Sequence, residues 1–136
     1  MTTLSKILSG AAILAAIATG AVANEQPKTL EFNNLNTLKK NPEFISYFIN
    51  ENSKKCEKTL KTISLLTGAS LKSNKHLVKY LEELYPAKQT ATFYENKDGV
   101  YAGMLELVGN KKGETLSLMI FPNLKSCEAV KSNYYK

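Results

Sequence analysis

The chain has 136 residues and a formal charge of +6, from 18 basic against 12 acidic side chains. All 18 basic side chains are lysines, so bidentate clamping of phosphate or carboxylate, which is arginine chemistry, is excluded. The length suits one domain with a modest core, and no Gly-rich phosphate loop, G-x-S-x-G or H-E-x-x-H signature is present.

Residues 1–23 read as an export leader. Lys6 gives a short positive start, Ile7 to Ala18 form an apolar run of small residues, and Ala21-Val22-Ala23 supplies the small-x-small pattern of a cleavage site. The run is too short and alanine-rich to span a bilayer comfortably, which takes about 20 strongly apolar residues. The absence of arginine excludes a twin-arginine signal, leaving a Sec-type route, and no cysteine at the cleavage site invites a lipid. The expected mature chain, 24–136, is one exported domain for the bacterial periplasm or the exterior. It keeps 17 lysines against 12 acids, a charge of +5, and no later segment reaches membrane-spanning length.

Residues 24–40 are polar and asparagine-rich, with Leu30, Phe32, Leu35 and Leu38 scattered through them, and read as a flexible extended arm or one short helical turn. Asn41-Pro42-Glu43 is a helix start: a capping residue, proline at the first helical position and an acid in the first turn. Phe44, Ile45, Phe48 and Ile49 then share a helical face. The polar stretch Asn50 to Lys55 either breaks or continues this helix. Cys56, Leu60, Ile63 and Thr67 keep a 4-3-4 spacing beyond it, so one long helix or two abutting ones are expected. Gly68 is a C-terminal stop. A further helix is expected from Ser73 or Asn74 to Tyr85, burying Leu77, Val78, Leu81, Leu84 and Tyr85 and ended by Pro86.

From Thr90 the period changes. Thr90 to Glu95 is rich in threonine and aromatics, Asp98-Gly99 is hairpin-turn chemistry, and Val100 to Val108 is a second strand. A looser turn from Gly109 to Gly113 leads into Thr115 to Phe121, where Leu116, Leu118 and Ile120 alternate with Thr115, Ser117 and Met119. The tail from Leu124 is a short helix or a fourth strand. The expected fold is α+β: N-terminal helices packed on one face of a three- to four-stranded antiparallel meander, with one disulfide.

That disulfide follows from Cys56 and Cys127, the only cysteines, in an exported chain. The loop of about 71 residues corresponds to roughly 4 kcal/mol in the chain-entropy account. A metal or redox site would need C-x-x-C spacing or a histidine cluster, and neither exists, so no metal and no cofactor is implied.

Catalytic candidates are sparse. His76 is the only histidine and would act as a general base with Asp98, Glu82 or Glu83. A solvated surface histidine in the first turn of its helix is the plainer reading. Glu82 and Glu83 point about 100° apart on a helix, and Glu106 sits on a strand where it can simply face water. Lys54, Lys58 and Lys61 fall on one side of the expected long helix: a solvated face, or a patch for an anionic partner. A lysine-only basic excess also fits an A/T-rich genome with no functional content. The sequence therefore points to a non-enzymatic binding or accessory protein whose partner is a protein or an anionic envelope component, with no role in nucleic-acid binding. The alternatives are a small envelope hydrolase using His76 and a structural surface protein. Non-reducing mass spectrometry is expected to show a chain starting at Asn24 and about 2 Da below the reduced mass; free thiols would contradict the second expectation.

Overall fold

The strongest periodic signals build the middle of the sheet. Alternating aromatics and threonines form β4 (Lys88–Asn96), and the Asp98-Gly99 turn, with Gly99 at φ 108°, reverses the chain into β5 (Gly99–Val108). β6 (Thr115–Phe121) completes the expected antiparallel meander. This computed structural model describes residues 27–32 and 35–135, and the expected leader, including Ala21 and Ala23, lies outside the described residues.

Three more strands extend the meander on both sides. β1 (Pro27–Phe32) pairs antiparallel with β4, from Pro27 opposite Tyr94 to Phe32 opposite Gln89. On the other side β2 (Tyr47–Asn50) pairs with β6, and β3 (Lys55–Lys58) pairs with β2 at the far edge. The six-stranded order is β1-β4-β5-β6-β2-β3, with every pair antiparallel. The stretch expected to be an arm or a helical turn thus contains strand β1 followed by a short helix, α1 (Asn36–Lys40).

The helix expected from Pro42 does not form. Pro42–Ile45 makes a single 3-10 turn, and the chain then extends into β2. Phe48 and Ile49 show why: both are buried, but on opposite faces of the sheet, as neighbours on a strand must be. Asn41 does not cap the turn; its amide nitrogen donates back to the Thr37 carbonyl at 3.1 Å, closing α1 instead. Residues 51–54 are the turn between β2 and β3, with Lys54 at φ 57°. Cys56 therefore lies on a strand, and α2 (Thr59–Thr67) starts only after it. The expected stop at Gly68 holds, since its φ is 73° and its N–H donates to the Ser64 carbonyl at 2.9 Å. Helix α3 (Asn74–Leu84) matches its expected span, capped by the Ser73 hydroxyl, which accepts from the His76 N–H at 3.1 Å. The tail is helix α4 (Leu124–Tyr134), capped by Asn123.

Both faces of the sheet are covered. Leu38, Ile45, Ile63, Leu77, Val78 and Leu81 pack against Phe48, Phe93, Leu105, Leu118 and Ile120 on one face. On the other, Cys127 and Val130 of α4 pack against Ile49, Ala102, Met104, Met119 and Phe121. The expectation of helices on one face only is thus corrected, because β6 buries Met119 and Phe121 as well as Leu118 and Ile120, and both sets need cover. A bulge opposite Tyr94/Glu95 inserts Tyr101 as an extra residue in β5, so Tyr101 and Ala102 both join the α4 side. Cys56 and Cys127 are bonded, tying edge strand β3 to α4.

One buried polar side chain closes α3. Pro86 has no N–H, so the Glu82 carbonyl lacks its donor four residues on. Gln89, 2% exposed on β4, fills that role: its amide nitrogen donates to the Glu82 carbonyl at 3.2 Å and to the Tyr85 carbonyl at 3.0 Å. Gln89→Leu keeps the volume but strands both carbonyls, and is expected to lower unfolding free energy by about 1–3 kcal/mol in urea titration.

Candidate partner-binding surface

Helix α2 grows from the edge strand without a loop. Lys58 ends β3 and is also the N-cap of α2, where it supplies no side-chain cap, and the Thr59 N–H donates to the Ser46 carbonyl at 3.1 Å. Nine residues make a short helix that cannot hold itself together in water, so its packing decides its stability. Yet α2 fully buries only Thr59 and Ile63. Leu65 is 75% exposed and its neighbour Leu66 43%, and Leu124, opening α4, is 46% exposed.

These apolar side chains adjoin lysines. A cleft of about 430 Å³ is lined by Glu57, Lys58, Lys61, Thr62 and Leu65. A second, of about 380 Å³, is lined among others by Tyr47, Lys58, Leu60, Asn74 and Leu124. Lys58 lines both clefts. Neither Lys58 nor Lys61 takes part in the ion pairs formed among the described residues, which join Lys39 to Glu82 at 2.7 Å and Lys131 to Glu128 at 2.8 Å.

Glu57 lines the first cleft but is tied down. Its carboxylate accepts from Ser53 Oγ at 2.7 Å, Thr62 Oγ1 at 2.9 Å and Asn50 Nδ2 at 3.3 Å. Burial by itself pushes this carboxyl up. The three hydrogen bonds and the nearby Lys55 charge outweigh burial and hold it below the ordinary carboxylate value. The same bonds lash the β2–β3 turn to the first turn of α2.

Of the lysines expected to act together, Lys58 and Lys61 share this surface, on a strand end and a helix rather than on one helical face. Lys54 lies apart in the β2–β3 turn, with its Nζ 5.8 Å from the Tyr135 ring centroid. Beside it the Glu51 carboxyl is pushed up by burial, against a hydrogen bond from Tyr134.

His76 is exposed in the first turn of α3. It lines a cleft of about 400 Å³ with Lys39, Lys75, Lys79 and Glu82, but Glu82 is held by Lys39, and no hydrogen bond joins His76 to a carboxylate among the described residues. Asp98 lies elsewhere, at the β4–β5 turn facing Lys125 across a cleft of about 370 Å³. Glu106 is exposed on β5. Glu82 thus shares a cleft with His76 without bonding to it, and Asp98 lies at another site.

Leu65, Leu66 and Leu124 are the residues that sequence reasoning missed. A signal existed: Leu65-Leu66 falls off the Leu60/Ile63/Thr67 stripe, so the pair had no core face to join. In comparison with known proteins, no family model matches the chain, and no curated protein or solved structure resembles it significantly.

Because Glu57 titrates low in the folded state, it contributes stability above the ordinary carboxylate range, and that contribution is lost as pH falls through its depressed value. Glu57→Gln is expected to be less stable than the parent at pH 7, with the gap narrowing as pH falls below the ordinary carboxylate range, as read by urea unfolding across an acid titration.

Proposed function

We propose that the protein is a non-enzymatic binding or accessory module that acts outside the cytoplasm, presenting α2 and the Leu124 corner to a partner in the cell envelope. The observation that carries this reading is the company Leu65 keeps. A leucine three-quarters exposed shares a cleft with two lysines that form no ion pair among the described residues, and its helical neighbour Leu66 is 43% exposed. Single exposed apolar residues are ordinary on protein surfaces; an adjacent exposed pair beside lysines that form no ion pair among the described residues is the pattern of a surface awaiting a partner.

An extracytoplasmic site of action is supported by the leader pattern of residues 1–23 and by the Cys56–Cys127 bond, which suits an oxidising compartment. No helix among the described residues is long and apolar enough to cross a membrane.

The test uses an envelope preparation from the native host. Placing a charge in a contact that buries a leucine removes roughly 1.5–3 kcal/mol, so Leu65→Asp with Leu66→Asp is expected to cut retention of the protein at least about tenfold. His76→Ala is expected to be retained like the parent and to keep its biological effect. Loss of effect in His76→Ala with full retention of the leucine variant would favour the hydrolase instead.

A further inference from the structure

We infer that the partner of the α2 surface is an anionic lipid bilayer, with Leu65 and Leu66 entering the boundary between headgroups and acyl chains and Lys58 and Lys61 pairing with the headgroups. This rests on the proposed binding role and names its target.

Four features favour a bilayer over a folded protein. Adjacent helical residues point about 100° apart, so Leu65 and Leu66 form two prongs rather than one knob for a socket. A fluid apolar phase accepts both prongs without a shaped pocket. Second, lysine is a mobile point charge on an apolar stem, which lets its ammonium follow headgroups while its methylenes lie along the leucines. Third, Lys58 and Lys61 outnumber Glu57, the one carboxylate lining this cleft, whose oxygens are engaged by Ser53, Thr62 and Asn50, so the cleft is net positive with its ammonium groups as the outward charges. Fourth, the neighbouring sheet edge is poor for strand addition: β3 is four residues long and carries exposed Lys55 and Lys58. Two leucines with two lysines give reversible adsorption rather than permanent anchoring.

The experiment is sedimentation of the protein, as recovered from its host, with large vesicles of phosphatidylglycerol and phosphatidylcholine, against vesicles of phosphatidylcholine alone. Binding to the anionic vesicles is expected at low ionic strength, with clear weakening between about 0.05 and 0.5 M salt. Lys58→Gln with Lys61→Gln is expected to weaken it about thirtyfold, at about fivefold per lysine. Leu65→Ser with Leu66→Ser is expected to abolish it. Lys111→Gln with Lys112→Gln, the same charge change in the exposed β5–β6 turn, is expected to bind like the parent. No sedimentation with anionic vesicles overturns the inference, and so does equal weakening by the two lysine pairs, which would mean diffuse attraction. If vesicles fail to bind while the Leu65/Leu66 variant still loses envelope retention, the lipid assignment falls and the docking role of α2 stands.

Discussion

The sulfur bridge between Cys56 and Cys127 fixes what the rest of the surface depends on. β3 has four residues, sits at a sheet edge and is half-exposed, so its own hydrogen bonds to β2 hold it weakly. The bridge fastens it to α4, whose buried side reaches Ile49, Met119 and Phe121 on the sheet. Because α2 continues directly from Lys58, its direction is inherited from β3. A constraint on the α4 face of the sheet therefore sets the pose of a helix whose packing partners lie on the opposite face.

Two smaller devices complete that placement. Glu57 binds the β2–β3 turn and α2 through one carboxylate, and the Thr59 N–H is taken up by the Ser46 carbonyl, leaving α2 with a defined start despite lacking a side-chain cap. The Gly68 terminus is equally defined, through its left-handed backbone. Helix α2 is thus positioned by its two ends and by Ile63, and its outer residues are free for contact.

Much of this architecture was legible beforehand where one period dominates. Residues 74–84 carry a helical stripe between Ser73 and Pro86, and residues 88–121 carry strand alternation broken by Asp98-Gly99 and the Gly109–Gly113 turn; these elements form as expected. Residues 42–58 misled for a physical reason. Phe44, Ile45, Phe48 and Ile49 satisfy a helical face and also a short strand buried on both sides, and in four residues the two patterns are not separable. Cys56 fell into helical phase with Leu60 by coincidence of spacing. The disulfide was readable from cysteine count and export context alone. Of the candidate surface, Lys58 and Lys61 were legible by charge, whereas Leu65 and Leu66 were legible only by falling off the Leu60/Ile63/Thr67 stripe, a weak sign in a helix whose expected bounds ran back through Cys56.

The strand order has a practical corollary. β1 and β3 are the two opposite margins of a six-stranded sheet, about 24 Å apart at the usual strand spacing. Whatever is fused ahead of Pro27 enters the fold at the margin away from α2. A purification handle or fluorescent reporter added there leaves the leucine prongs unshielded, whereas the same handle placed after Tyr135 would sit by Lys54 and the β2–β3 turn that carries β3.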